Sequence, residues 1–143
     1  MSDYAGDVAC STAWEKLAAN KNSVLVDVRT SAEWNFVGLP DLSEVQKDVV
    51  LLEWQQYPTM GLNPNFTTEL SSLIERIGGD LDTEIYFLCR SGVRSQSAAI
   101  AMTNAGYKSC FNVAGGFEGG HNEQKRRGLV NGWKASDLPW HQN

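Results

Sequence analysis

Residues 89–94, Cys-Arg-Ser-Gly-Val-Arg, carry the side chains best suited to chemistry in this sequence. The thiolate form of a cysteine is a nucleophile, and nearby positive charge stabilises it. Arg90 and Arg94 place two permanent cations beside Cys89, and Gly92 permits a tight loop in which backbone N–H groups converge on an anion. The segment therefore predicts a nucleophilic thiolate in a cradle that would also hold an anionic substrate.

A lone cysteine is more often a buried packing residue than a nucleophile, because its side chain is small and apolar. The neighbours of Cys89 argue against that interpretation here, since Arg90, Ser91, Gly92 and Arg94 are poor core residues. We therefore interpret Cys89 as the reactive centre.

The elements that must position this loop follow from the hydrophobic pattern. Continuous apolar runs predict buried strands at residues 24–28, 48–54, 84–88 and 109–114. Apolar residues at helical spacing predict helices at residues 12–20, 65–77 and 95–105. Strands that alternate with helices in this way predict an α/β fold with a mostly parallel sheet.

Parallel α/β sheets bind ligands at the carboxyl ends of their strands. Cys89 follows one predicted strand directly, and Asp27 and Arg29 lie at the end of another. We expect Asp27 to accept hydrogen bonds from loop or helix N–H groups, or else to form part of the pocket floor. We expect Arg29 to be a structural ion-pair partner and consider Glu33 as its partner.

Two capping boxes predict helix starts, and the composition of one further segment predicts a loop. Thr12 with Glu15 and Thr30 with Glu33 both fit the capping box. Prolines, a glycine and asparagines predict a loop at residues 57–65.

Length and charge limit the class of protein. The chain has 143 residues, of which 42% are hydrophobic, so we expect one domain over residues 1–143. A formal net charge of −5 argues against nucleic acid or an anionic membrane as the main partner, because both reward excess Lys and Arg. No apolar run approaches the ~18 residues of a membrane helix, and residues 1–9 lack the apolar segment of a secretory signal. We therefore expect a cytoplasmic location.

The three cysteines are widely spaced and odd in number, so they do not form a disulfide framework. Cys110 lies in a predicted strand and should be buried, and we expect neither Cys10 nor Cys110 to take part in the chemistry. No Cys-x-x-Cys pair occurs, and His121 and His141 are the only histidines, so a zinc site is not expected. The sequence calls for no metal and no organic cofactor.

Four segments of the chain resemble the rhodanese family. They are residues 25–29 (Leu-Val-Asp-Val-Arg), the pair Glu33-Trp34, the loop at residues 89–94, and residues 112–117 (Asn-Val-Ala-Gly-Gly-Phe). They span most of the chain in the family's order, and the loop after a hydrophobic strand is the most specific of them. The resemblance implies a rhodanese-like three-layer α/β fold, in which helices flank a mostly parallel five-stranded sheet.

The resemblance also implies sulfur transfer. The Cys89 thiolate would take a sulfane sulfur from a small anionic donor such as thiosulfate and pass it to cyanide in an assay, or to a thiol or a protein acceptor in the cell. The resulting persulfide would be held by backbone N–H groups of the loop residues Arg90, Ser91, Gly92, Val93 and Arg94. The side chains of Arg90 and Arg94 would hold the sulfite-like leaving group.

One segment departs from the family pattern. Family members often carry Gly-His-Ile-Pro-Gly-Ala after the Glu-aromatic pair, whereas residues 37–42 here read Val-Gly-Leu-Pro-Asp-Leu. A longer insert follows at residues 43–65. We expect this region to be structural and to leave catalysis intact.

Two rival functions are less favoured. Phosphatases and arsenate reductases of the same fold need five residues between Cys and Arg, whereas four lie between Cys89 and Arg94. The shorter loop makes a smaller cradle, which suits a sulfur atom more than a phosphoryl group. A non-catalytic rhodanese module for protein binding is the other rival, but such modules commonly lose the cysteine.

A histidine and a basic run lie in the C-terminal part of the sequence. His121 lies in a glycine-rich segment, and we expect it on the surface. The basic run at residues 125–127 is expected to be a solvated face, with docking of an acidic carrier protein as the minor alternative.

Overall fold

The computed structural model describes residues 3–120, 123–127 and 131–142. In chain order the elements are strand β1 (Gly6–Val8), helix α1 (Cys10–Ala19), β2 (Val24–Asp27), α2 (Ser31–Phe36), β3 (Leu39–Pro40), a 3-10 turn (Ser43–Val45), β4 (Val50–Leu51), β5 (Gln55–Gln56), β6 (Gly61–Leu62), α3 (Phe66–Arg76), β7 (Glu84–Leu88), α4 (Val93–Asn104), β8 (Ser109–Val113) and β9 (Trp140–His141). No helix within these ranges is long and apolar enough to cross a membrane.

A parallel sheet organises the fold. In the described part of the chain, five strands follow the order β1-β8-β7-β2-β4, and every neighbouring pair is parallel. The other short strands pair antiparallel, β3 with β9 and β5 with β6. The α/β fold with a parallel five-stranded sheet is therefore confirmed.

Side-chain alternation along the central strands builds a core on each face of the sheet. On β7, Ile85 and Phe87 pack with buried residues of α3 and α4, whereas Tyr86 and Leu88 pack on the opposite side with Leu17 of α1. The sheet is thus covered on both faces, which is why the residues of β2 and β7 form continuous apolar runs rather than an alternating pattern.

The centre of the sheet brings the two predicted site segments together. In the β2–β7 pair, Asp27 lies opposite Leu88, and the Val28 N–H donates to the Leu88 carbonyl oxygen at 2.8 Å. Cys89 therefore follows β7 at the same sheet edge at which Arg29 follows β2, as expected for the carboxyl ends of parallel strands.

The first helix begins earlier than the sequence pattern predicted. α1 starts at Cys10 with Ala9 at the cap position and no side-chain cap, so the proposed Thr12–Glu15 capping box is wrong. Cys10, Ala13 and Leu17 are its buried residues, and packing of this stripe sets the helix start in place of a local cap. The second capping box, Thr30 with Glu33, is confirmed.

Two parts of the sheet differ from the sequence prediction. β1 was not predicted, because three residues with a glycine and an exposed aspartate carry no apolar pattern. Only Val50 and Leu51 of the predicted 48–54 strand form β4. The N–H groups of Leu52 and Trp54 still donate to backbone carbonyls at the end of β2, so the chain continues along β2 without regular strand geometry.

The glycine-rich segment after β8 supports the backbone of the Cys89 loop. The Phe117 N–H donates to the Cys89 carbonyl oxygen at 2.8 Å, and the Glu118 N–H donates to the Arg90 carbonyl oxygen at 3.0 Å. Gly116 has a φ of +65°, and a Cβ atom on it would overlap the Cys89 carbonyl oxygen and lie 2.6 Å from that of Arg90. Glycine at this position allows the two backbones to approach closely.

We expect Gly116→Ala to destabilise the protein by about 2–4 kcal/mol, because the added methyl group meets backbone atoms and the residue keeps a positive φ. Gly120→Ala is the matched control, since the nearest atom to an added Cβ there is Asn131 Oδ1 at 3.9 Å. Urea unfolding of both variants measures the difference. Equal losses of stability would contradict the role assigned to this close approach.

Candidate active site

The Cys89 sulfur lies between the end of β7 and the start of α4. The residue is 1% exposed. Its Sγ atom accepts a hydrogen bond from the Gly92 N–H at 3.1 Å and lies 3.2 Å from Ser95 Oγ. Gly92 has a φ of +118° and occupies the cap position of α4. This turn brings a backbone N–H and the positive N-terminal end of α4 to the sulfur, an arrangement that stabilises an anion.

Arg94, in the first turn of α4, is held by a carboxylate. Its Nη1 and Nη2 atoms donate to the two Glu33 carboxylate oxygens at 2.6 and 3.0 Å. The side chains of Arg94 and Glu33 are 17% and 19% exposed, so solvent screens this bidentate pair only in part. An anion that uses Arg94 must therefore compete with Glu33.

The Glu33–Arg94 contact shifts the titration of both groups. Burial of the Glu33 carboxyl opposes its ionisation, but the hydrogen bonds and charge of Arg94 and the Thr30 N–H outweigh burial, so the pKa of Glu33 is lowered. Burial likewise opposes the charge on Arg94, yet the Glu33 carboxylate raises the pKa of Arg94. Both groups are therefore charged at neutral pH.

Asp27 and Arg29 form a fully buried ion pair at the end of β2. Arg29 donates to both Asp27 carboxylate oxygens and, from Nη2, to the Gly38 carbonyl oxygen at 2.7 Å. Its guanidinium carbon lies 4.3 Å from the centre of the Phe117 ring. The sequence analysis considered Glu33 as the ion-pair partner of Arg29, and this was wrong. Arg29 pairs with Asp27, and Glu33 pairs with Arg94.

An open cavity of about 490 Å³ lies against the Cys89 loop. The two loop arginines line it together with side chains from other segments: Glu33, Val37, Gln55, Met60, Arg90, Arg94, Glu118 and Arg127. Three arginines face two glutamates across this cavity, so its wall carries a net positive charge in a protein whose net charge is −5. The loop sits beside a space that can admit a small anion.

The other loop residues predicted for the site differ in their exposure to solvent. Arg90 and Val93 are exposed, and Ser91 and Gly92 are half-buried. Each of them belongs to the turn between β7 and α4 or to the first turn of α4.

Two segments lie closer to the cavity than the sequence indicated. The 43–65 insert was expected to be structural, and two of its residues, Gln55 of β5 and Met60, also line the cavity wall. In the basic run, Lys125 and Arg126 are exposed as expected, whereas Arg127 is half-buried, donates to the Gly119 carbonyl oxygen at 2.7 Å and lines the cavity. His121 lies outside the described residues.

Sequence reasoning did not assign a role to three polar residues that extend in a row from the sulfur. Ser95 follows the loop directly and is fully buried, and its Oγ lies 2.5 Å from Asn112 Oδ1. Asn112 in turn donates to Asp7 on β1 at 3.0 Å. A polar asparagine within the apolar strand β8 was the one available signal, whereas Asp7 belongs to a strand that was not predicted.

The other two cysteines are placed in the cores. Cys110 is fully buried, as expected, and Cys10 is 3% exposed. Burial raises the pKa of the Cys10 and Cys110 thiols to about 11 each. Both are therefore protonated at neutral pH and poorly nucleophilic.

Metal ligands do not gather in the part of the chain that is described. No group of three or more His, Cys, Asp and Glu side chains there could hold a metal ion.

Glu33→Gln should make the free energy of unfolding less dependent on pH in the acidic range. Folding lowers the pKa of Glu33, so the stabilisation is fully present above its ordinary value of 4.5 and is lost as the pH falls through the lower folded value. The glutamine keeps an oxygen for the Thr30 cap but loses the charge. We expect the variant to be about 1–2 kcal/mol less stable than wild type at pH 7 and the gap to close towards pH 3. Urea unfolding at both pH values tests this, and a gap of constant size would contradict it.

Solved structures share this architecture. The crystal structure of Rv0390 from M. tuberculosis matches with a TM-score of 0.86 and 44% identity, over 98% of this chain and 99% of that one. The 30 kDa polysulfide-sulfur transferase homodimer from Wolinella succinogenes matches with a TM-score of 0.61 and 19% identity, over 99% of this chain and 80% of that one. The second likeness concerns the fold alone, and the expected rhodanese-like fold is confirmed.

Curated relatives fall into two groups. The uncharacterized protein RP600 of Rickettsia prowazekii (strain Madrid E) is 44% identical over 132 residues, which are 92% of this chain and 94% of that protein. The chloroplastic protein THYLAKOID RHODANESE-LIKE of Oryza sativa subsp. indica is 29% identical over 135 residues, which are 94% of this chain and 25% of that protein. The family described as the STR4 middle domain matches residues 5–143. The chain therefore belongs to the STR4 middle domain family, and rhodanese-like proteins are among its more distant relatives.

Proposed function

We propose that the protein is a sulfurtransferase that carries a sulfane sulfur as a persulfide on Cys89. The observation that carries the proposal is the position of the Cys89 sulfur. It accepts the Gly92 N–H in a loop with four residues between Cys89 and Arg94, and both loop arginines line one cavity. The Gly92 N–H and the two arginines can support negative charge on the sulfur during the reaction, and the cavity can hold an anionic donor against the loop.

The relatives support the coarser part of this proposal. A rhodanese-like name among the curated relatives, and the fold shared with a polysulfide-sulfur transferase, agree with sulfur chemistry on this scaffold. Because fold alone does not determine activity, the argument for transfer depends on the loop and its arginines.

The reaction is a pair of displacements at sulfur, written here with thiosulfate as donor. The Cys89 thiolate attacks the outer, sulfane sulfur, a new S–S bond forms on Cys89, and the S–S bond of thiosulfate breaks with its electron pair leaving on sulfite. A nucleophilic acceptor then attacks the outer sulfur of the persulfide. With cyanide the product is thiocyanate, and the Cys89 thiolate is regenerated without net oxidation or reduction of the protein.

The cavity residues have separate roles in this scheme. Arg90 and Arg94 neutralise the anionic donor and the departing sulfite, while the Gly92 N–H stabilises charge on the cysteine sulfur. Glu33 competes with the donor for Arg94. Donor binding therefore replaces one anionic partner of Arg94 by another.

The setting of the reaction is part of the proposal. A free nucleophilic thiol persists in a reducing compartment such as the cytoplasm. A small anionic sulfur donor and a thiol or protein acceptor are the proposed partners, and one domain over residues 1–143 is the proposed functional unit.

Brief incubation with thiosulfate should add the mass of one sulfur atom to the wild-type protein and none to Cys89→Ser. Intact-mass spectrometry measures this directly. Cys110→Ala is the matched control and should take up sulfur like wild type, because Cys110 lies in the core.

Sulfur uptake by Cys89→Ser would contradict the mechanism. No uptake by wild type together with hydrolysis of an aryl phosphate would favour a phosphatase. Absence of both activities would favour a binding module.

Arg94→Ala should raise the KM for thiosulfate about tenfold or more, because it removes a charged donor to the anion. Glu33→Gln should lower that KM, since it releases Arg94 from its carboxylate partner. Arg76→Ala on the exposed end of α3 removes the same charge elsewhere and should leave KM unchanged. Initial-rate kinetics of the three variants test this assignment, and a KM for Arg94→Ala equal to that of Arg76→Ala would refute it.

A further inference from the structure

A continuous chain of side chains links the Cys89 sulfur to a carboxylate on the edge of the sheet. Ser95 Oγ lies 3.2 Å from Cys89 Sγ and 2.5 Å from Asn112 Oδ1, and Asn112 Nδ2 lies 3.0 Å from Asp7 Oδ1. Ser95 is fully buried, Asn112 is 6% exposed, and Asp7 is exposed. The parallel register of β1 and β8 places Asp7 directly beside Asn112.

The directions of these hydrogen bonds follow from the carboxylate. The ionised Asp7 side chain only accepts, so the Asn112 atom that faces it must be the Nδ2 donor. The amide oxygen of Asn112 is thereby turned towards Ser95. Because that oxygen also only accepts, Ser95 must donate its single hydroxyl hydrogen to Asn112.

Ser95 has one hydroxyl hydrogen and two acceptors within reach, Cys89 Sγ at 3.2 Å and Asn112 Oδ1 at 2.5 Å. Donation to the nearer Asn112 oxygen leaves the lone pairs of Ser95 facing Cys89. This orientation suits a thiol, whose S–H can donate to Ser95 Oγ, and it does not suit a thiolate, which needs donors. To stabilise a thiolate, Ser95 would have to turn its hydrogen away from Asn112. The Asn112 oxygen would then lose its donor in a buried position, which is unfavourable.

We propose that Asp7 is a positioning residue that acts through Asn112 and Ser95 to favour the protonated form of Cys89 before a sulfur donor binds. The network restrains reaction of the free thiol with stray electrophiles, while Gly92 and the arginines support the anion during turnover. This inference rests on the proposed function only in taking Cys89 as the nucleophile.

Other charged groups lie near the sulfur, and the test keeps them constant. Arg94 interacts electrostatically with Cys89. The remaining charged groups belong to the adjoining cavity wall and to the end of β2: Arg90, Glu33, Glu118, Arg127, Asp27 and Arg29. None of them is changed in the variants below.

The test is the pH dependence of Cys89 alkylation by iodoacetamide, followed by peptide mass in wild type and Asp7→Ala. Without Asp7, the Asn112 amide can rotate, donate to Ser95 and release the Ser95 hydrogen to the thiolate. The pH of half-maximal rate should fall by about half a unit to one unit. Tyr4→Phe removes the 2.9 Å hydrogen bond of Tyr4 to the same Asp7 oxygen but leaves Asn112 untouched, so its profile should match wild type.

Loss of the Asp7 charge would by itself favour a thiolate, and two measurements separate that effect. In a Ser95→Ala background the Asp7→Ala shift should disappear, because the network has no hydroxyl to act through. In wild-type background the shift should persist at 1 M salt, where the Debye length is about 3 Å and a distant charge is screened.

A shift of equal size with and without Ser95, a shift abolished by salt, or no fall in Asp7→Ala would each overturn the proposal. Alkylation needs no sulfur donor, so its outcome is independent of persulfide formation. A failed sulfur-transfer assay with the predicted alkylation profiles would leave the positioning role intact.

Discussion

The buried ion pair between Asp27 and Arg29 is the constraint on which the site depends. Arg29 joins three parts of the chain, since it binds Asp27 at the end of β2, donates to the Gly38 carbonyl oxygen after α2, and lies over the Phe117 ring. The Phe117 N–H in turn holds the Cys89 carbonyl oxygen. Because each buried charge leaves the other uncompensated if it is removed, the pair must form as a unit.

Around this buried pair, the groups proposed to engage a reacting anion are held in competing contacts. Arg94 is bound by Glu33, and the Ser95 hydroxyl is bound by Asn112. In both cases the resting partner satisfies a group that a reacting anion would otherwise engage. Catalysis on this site would therefore consist largely of exchanging one set of hydrogen bonds for another, with little movement of the backbone.

Much of the fold could be predicted from local pattern, because the strands at residues 24–28, 84–88 and 109–114 contribute side chains to the cores on both faces of the sheet and are therefore mostly apolar. The Cys89 loop could also be predicted, since its cysteine, glycine and arginines lie within six consecutive residues. The long-range contacts of these residues could not be predicted. Glu33 and Arg94 are 61 residues apart, and Asp7 and Asn112 are 105 apart, so no spacing rule relates them. Their meeting is set by the strand order, and β1 has no pattern of its own.

The position of β1 at the edge of the sheet affects when, during folding, the surroundings of Cys89 are completed. β1 pairs with β8, so the first strand of the chain joins the sheet only after a late strand exists. Contacts of such long sequence separation form slowly during folding, because loop closure must precede them. A growing chain thus presents Cys89 before the surroundings of its sulfur are complete. The surroundings of the thiol are complete only when β1 has paired with β8.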